Sequence, residues 1–243
     1  KNPEALIKLQ RKYIAAGAHA VLAPTFGANR IKLANYGLEN TVAELNKKLV
    51  AVSRKAVGKK AFVLADIAST GKFIEPFGEL SFEDCVNVYK EQVQALLKTD
   101  IDGFFIETMA DIQETRAALL AIKELTNKFV FVSMTYDESG RTLTGTDAVT
   151  ATLTLQALGA DAVGMNCSTG PQHMLPLVKK IKKIAKVPIF VKPNAGMPRL
   201  KEGKTVFDMG PKDFTPYLPQ FYEAGVNGFG GCCGTTPDHI KVI

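Results

Sequence analysis

Four short segments of the chain read alike, and their recurrence restricts the fold more than any other feature. They are Ala16-Gly17-Ala18-His19-Ala20-Val21, Thr99-Asp100-Ile101-Asp102-Gly103-Phe104, Leu158-Gly159-Ala160-Asp161-Ala162-Val163 and Ala224-Gly225-Val226-Asn227-Gly228-Phe229. Each follows a helix-like stretch and leads into a short apolar run. In three of them a glycine stands where a helix would end in the left-handed conformation. The repeated unit is helix, short loop, strand.

Seven strands follow from this unit: His19–Ala23, Ala61–Asp66, Gly103–Glu107, Phe129–Met134, Ala162–Cys167, Pro188–Lys192 and Gly228–Gly231. They are apolar on both faces, as parallel strands buried between layers must be. Amphipathic helices fill the intervals. One runs from Ser81 to Lys98 behind a Ser81/Asp84 cap, and another opens at Asn2-Pro3. Alternating strand and helix means a parallel α/β sheet, closed into a barrel or open and doubly wound.

Two features favour a (β/α)8 TIM-type barrel. No strand leads into G-x-G-x-x-G, and polar or reactive residues cluster just after the strand ends. These are Thr25, Ser69, Glu107-Thr108, Asn166-Cys167, Asn194 and Cys232-Cys233; Asp66 ends an apolar strand in the same way. Seven strands are one short of closure, so the first strand is expected to be missing from this chain. A single barrel domain over 1–243, itself part of a larger multidomain enzyme, is the expected organisation.

Composition narrows the partners. The net charge of +6 is mild, and its one dense run (Lys179, Lys180, Lys182, Lys183, Lys186) interleaves with Val178, Ile181, Ile184 and Ala185 at helical spacing. That pattern describes the wet face of an amphipathic helix, so no nucleic-acid partner is expected. No apolar run has bilayer-spanning length, which argues against a membrane partner. Four cysteines, two of them adjacent, do not make a disulfide framework. Reduced thiols and a cytoplasmic location are expected.

Cys167, Cys232 and Cys233 end two strands that have one other strand between them in sequence order. Two strand spacings total roughly 10 Å, and inward-pointing side chains on a curved wall close that gap around one ion. Three thiolates suit zinc and leave one coordination position open, as catalytic sites do. Cys85, inside a helix, reads as packing. His19 falls in a loop-to-strand turn away from the mouth, and His173 and His239, just inside helices, read as capping or surface residues. Two other readings of the strand ends stand beside this one. A glycine-rich turn before a helix is also the form of a phosphate-binding barrel enzyme, and zinc with four protein ligands would make a non-catalytic scaffold.

Gly230-Gly231-Cys232-Cys233-Gly234-Thr235-Thr236-Pro237, taken with Gly164-Met165-Asn166-Cys167, resembles the homocysteine S-methyltransferases. Asp137-Glu138-Ser139-Gly140-Arg141-Thr142-Leu143 and Pro193-Asn194-Ala195-Gly196-Met197-Pro198 are most similar to the homocysteine-binding modules of cobalamin-dependent members. The resemblance runs from about Asn2 to Ile240. It implies a zinc barrel that activates homocysteine as a zinc thiolate for methylation to methionine, with Cys167, Cys232 and Cys233 as metal ligands and catalytic centre. It further implies that Glu107 contacts the substrate amino group and that Asn194 lies beside the metal; Ser69 and Thr108 are expected in the substrate site from their position as polar residues at the barrel mouth.

Methylcobalamin on another domain is the expected methyl donor, with cobalamin-binding and folate-binding domains as partners. Betaine and S-methylmethionine remain alternatives on fold alone. One departure stands out. Family members open with a strand ending in an Asp-Gly-Ala-Met-Gly-like turn, and nothing here matches it.

Overall fold

A computed structural model describes residues 2–243. In chain order the elements are α1 (Pro3–Ala15), β1 (Ala20–Leu22), α2 (Arg30–Ala34), a 3-10 turn (Glu39–Thr41), α3 (Val42–Val57), β2 (Phe62–Ile67), α4 (Phe82–Leu97) and β3 (Gly103–Met109). There follow α5 (Ile112–Leu125), β4 (Val130–Met134), α6 (Ala148–Ala157), β5 (Ala162–Asn166), α7 (Pro171–Ile181) and β6 (Ile189–Lys192). The last part holds β7 (Pro198–Lys201), β8 (Lys204–Phe207), α8 (Pro211–Phe214), α9 (Tyr217–Glu223), β9 (Gly228–Phe229) and α10 (Pro237–Val242).

Local chemistry sets the element ends. Asn2 caps α1 ahead of Pro3, and the Ser81 hydroxyl accepts the Asp84 N–H at 3.0 Å to cap α4. The loops before β1, β5 and β9 turn at Gly17, Gly159 and Gly225, with φ of 105°, 93° and 89°. Those values lie in the region where a β-carbon is penalised. The lysines of the α7 region lie mostly on its solvent side, as an amphipathic helix requires.

All seven expected strands are present. They form one parallel sheet in the order β1-β2-β3-β4-β5-β6-β9. Alternate residues face opposite ways. Val63, Ala65, Phe104, Ile106, Val132, Val163, Ile189 and Val191 belong to a core shared with Tyr89, Val93, Leu96, Leu119 and Ile122 of the helices. The other face carries Asp66, Phe105, Glu107, Phe131, Asn166, Phe190 and Lys192.

That second face is concave. Phe105 of β3 lies 5.3 Å from Phe190 of β6, ring centre to ring centre, and Phe131 of β4 lies 5.7 Å from Phe190. Three strand spacings separate β3 from β6 in a flat sheet, about 14 Å, so only a curled barrel wall brings these rings together. Among the described residues β1 and β9 do not pair with each other, and the wall has seven strands. Tyr13 on α1 donates its hydroxyl to the Thr235 carbonyl at 3.1 Å, tying the β1 side to the segment beyond β9.

The strict alternation expected from sequence breaks once. β6 is followed by an antiparallel hairpin, β7–β8, before the next helix. Its last residue, Phe207, sits with its ring against Gly234, next to the adjacent Cys232 and Cys233.

Candidate metal centre

Cys167 follows the last residue of β5, and its backbone takes the left-handed conformation with φ 62°, as does Ser168. For a non-glycine residue this costs about 1–2 kcal/mol, so the surrounding bonds must hold it. The Cys167 N–H donates to the Lys192 carbonyl at 3.1 Å. Cys232 and Cys233 lie in the turn after β9 rather than on a strand, so the rule that neighbouring side chains oppose each other does not bind them. Of the nearby glycines only Gly234 takes a positive φ, 79°. The segment after β6 grips this turn. Cys232 N–H donates to Pro193 O at 3.0 Å, Cys233 N–H donates to Asn194 Oδ1 at 3.1 Å, and Ala195 N–H donates to Cys233 O at 2.9 Å.

The three sulfurs end within 4.8 Å of one another, with Cys167 Sγ and Cys233 Sγ 3.8 Å apart. Two sulfurs on one tetrahedral zinc, each at about 2.3 Å, lie about 3.8 Å from each other. The donor set therefore fits that ion. As free thiols the three titrate unequally. A hydrogen bond from Cys232 lowers the Cys167 pKa, and the same bond raises that of Cys232, with burial adding to it. Burial, then the neighbouring Cys232, raises Cys233.

Asn166, the last residue of β5, organises the approach to this cluster. Its Oδ1 accepts from Ser133 Oγ at 2.7 Å and from the Thr108 N–H at 2.9 Å. Its Nδ2 donates to Thr108 Oγ1 at 2.7 Å and points at Cys232 Sγ at 3.7 Å. Thr108 is itself left-handed, φ 57°. Strained backbone at Thr108, Cys167 and Ser168 thus gathers around one spot, the pattern expected of a built site.

Beside it on the concave face lies a charged cluster. Glu107 and Lys192 form an ion pair with both side chains 11% exposed. The Lys192 ammonium stands 4.7 Å from the centre of the Phe105 ring. Asp66 is adjacent and buried, and its Oδ1 has no hydrogen-bond partner. Burial, reinforced by the Glu107 carboxylate, pushes its carboxyl well above the usual carboxylate range.

The family model described as homocysteine S-methyltransferase matches residues 1–243. The chain belongs to the homocysteine S-methyltransferase family. This family member is 30% identical over 254 residues to the methionine synthase of Mycobacterium leprae (strain TN), an alignment covering 100% of the chain and 21% of that relative. Identity to the methionine synthase of Mycobacterium tuberculosis (strain ATCC 25618 / H37Rv) is also 30%, with the same coverage. The chain spans about a fifth of the length of these curated relatives. Crystal structures of the homocysteine methyltransferase MmuM from Escherichia coli share the fold. The metallated form superposes with a TM-score of 0.81 at 22% identity, over 100% of this chain and 84% of that one. The oxidized form gives 0.82.

In this family member the residues singled out from sequence fall into groups. Cys167, Cys232 and Cys233 converge. Asn194 touches the Cys233 backbone, and Thr108 joins the cysteines through Asn166. Glu107 sits on the concave face, turned to Lys192. The Ser69 hydroxyl accepts the Gly71 N–H at 2.9 Å in its own loop. Cys85 is fully buried among core residues. The His239 ring bonds Thr236 at the start of α10 and Met209 O at 3.1 Å, a capping role. Lys192 belongs to the site although the sequence pattern does not single it out. The available signal is a charged residue ending an apolar strand, the same signal that marks Glu107.

Proposed function

We propose that the chain is a methyltransferase module that binds homocysteine and activates its thiol for methylation to methionine. The observation carrying this reading is the convergence of three cysteine sulfurs within 4.8 Å at the barrel mouth. The family membership and the methionine synthase relatives support it. Cys167, Cys232 and Cys233 would hold zinc, a redox-silent Lewis acid that keeps a substrate thiol deprotonated, and so nucleophilic, at neutral pH.

The chain's own residues supply the rest. Asn166 orients Cys232, and Asn194 fixes the turn that presents Cys233. Glu107 offers a carboxylate to the substrate ammonium. Thr108 accepts from Asn166 and Ser69 accepts from Gly71, so both hydroxyls keep a proton to donate to bound substrate. The pocket floor of Phe105, Phe131 and Phe190 excludes water beneath them. The methyl donor on this reading is methylcobalamin carried by another domain, which the chain's coverage of 21% of its methionine synthase relatives supports.

X-ray absorption at the zinc edge tests the reading. The zinc-loaded protein should show three sulfur neighbours and one lighter atom, and four sulfurs once homocysteine is added. An unchanged spectrum on adding homocysteine counts against it.

A further inference from the structure

Glu114, in the first turn of α5, is 3% exposed and belongs to no ion pair among the described residues. A carboxylate buried without a cation is costly unless hydrogen bonds satisfy it. Here the bonds converge on one oxygen. Glu114 Oε1 accepts the Thr70 N–H at 2.7 Å and the Thr70 hydroxyl at 2.6 Å, with the Tyr89 hydroxyl of α4 at 3.1 Å. The start of a helix, where the backbone dipoles favour negative charge, lowers the remaining cost. These bonds tie α4 and α5 to the loop that leaves β2, and Ser69 lies between two held residues of that loop. On one side the Ala68 carbonyl stands 3.1 Å from the Tyr89 hydroxyl, whose proton serves Ala68 and Glu114 together. On the other side is Thr70. Thr70 Oγ1 and Ser69 Oγ in turn accept the Lys72 N–H at 3.2 Å and the Gly71 N–H at 2.9 Å, around a left-handed Gly71 with φ 78°. Between residues 71 and 77 only Ile74 is buried, so apolar packing does little to hold the loop.

We propose that Glu114 is a positioning residue for the site at the barrel mouth: it fixes Thr70, and through Thr70 the direction of the Ser69 hydroxyl. The inference rests on the reading of this mouth as the homocysteine site, with Ser69 donating to bound substrate. Glu114 itself works from the helix side of the sheet, among Tyr89 and Cys85, and touches only the loop. A serine hydroxyl on a loose loop samples several rotamers and backbone positions, and ordering it on binding costs affinity. Hydrogen bonds to a charged acceptor are about twice as strong as neutral ones, so a carboxylate holds the loop in one arrangement before substrate arrives. An apolar residue in its place would leave the buried Thr70 N–H and hydroxyl without their acceptor, and the loop would move to find water.

Calorimetric titration of the zinc-loaded chain with homocysteine tests this as a double-mutant cycle. Ser69→Ala should weaken binding about twofold to tenfold, the scale of one neutral hydrogen bond. Glu114→Leu, which removes the acceptor, should weaken it at least as much. Glu114→Gln keeps an amide oxygen for Thr70 and should restore most of the loss. With Glu114→Leu in place, adding Ser69→Ala should cost nothing more, because the hydroxyl is already misdirected. Cys85→Ala, in the same core, controls for destabilisation alone, and beside it Ser69→Ala should keep its full effect. Zinc content should stay native throughout, since the cysteine cluster lies beyond the ends of β5 and β9. If Glu114→Leu does not fold, the cycle runs with Thr70→Ala in its place. Independent, additive losses in the cycle, or a Ser69→Ala protein that binds homocysteine as the parent does, overturn the positioning role. A zinc-loaded parent that does not bind homocysteine overturns the methyltransferase reading, and the positioning role with it.

Discussion

Asn194 accepts the backbone N–H of Cys233 through its side-chain oxygen at 3.1 Å. That bond joins the segment after β6 to the turn after β9, so a residue on one strand end decides where a sulfur on another strand end stands. Asn194 is 2% exposed and water has little access to replace it. Asn194→Leu should weaken zinc binding by about tenfold to a hundredfold, the usual effect of losing a group that orients a ligand. Asn194→Asp, which keeps the acceptor, should retain zinc. Competition with a chromophoric chelator reads both; an Asn194→Leu protein with native zinc affinity would show that the turn holds itself.

Replacing any one of Cys167, Cys232 and Cys233 by alanine should remove most bound zinc and methyl transfer while the circular dichroism spectrum is kept. All three lie beyond strand ends and outside the apolar core. Cys85→Ala should do the reverse, keeping zinc and costing about 1 kcal/mol for a small buried cavity. Metal analysis and chemical denaturation separate the two classes, and zinc loss in the Cys85 variant would move the site.

The unequal thiols predict an order of alkylation in the metal-free protein. The Cys167 pKa is lowered by its hydrogen bond from Cys232, so its thiolate fraction is larger at any pH below the ordinary thiol value. Iodoacetamide followed by peptide mass spectrometry should find Cys167 modified before Cys232, and Cys85, buried and raised, last. Zinc should protect the first two and leave Cys85 as it was. Cys232 reacting first would reverse the assignment of donor and acceptor.

Asp66 gives a stability prediction with a definite sign. Burial raises its folded pKa, with the Glu107 carboxylate next in effect, so the folded state favours the protonated carboxyl. The stability it contributes is full below the ordinary carboxylate range and is lost as pH rises towards the folded value. A neutral amide at this position has no such loss, so Asp66→Asn should melt higher than the parent at neutral pH, with the difference closing near pH 4, about the unfolded value. A gain of about 1 kcal/mol would read as roughly 2–4 °C in a domain of this size. A variant that melts lower at pH 7 and equal at pH 4 would mean that the Asp66 carboxylate is stabilised by Lys192.

Strand and helix positions were legible because they are local. Each strand is a short apolar run bounded by a turn, and β3, β5 and β6 begin or end within two residues of where the pattern puts them. β9 is shorter than expected and stops at Phe229, which releases Cys232 and Cys233 into a turn. The β7–β8 hairpin escaped notice for a physical reason. Of its eight residues only Phe207 is even partly covered, so no apolar alternation marks it.

By itself the sequence determined the chemistry at the strand ends, because a thiol or carboxylate closing an apolar run is a property of neighbouring residues. Only the tertiary structure decided which ends face each other. Glu107 and Lys192 stand 85 positions apart and meet because the sheet curls through three strand spacings. Cys167 meets Cys233 because a left-handed turn at one strand end faces a glycine turn at another. Curvature belongs to the whole sheet, set by the packing of every helix on its outer face, and no segment of the chain carries it alone.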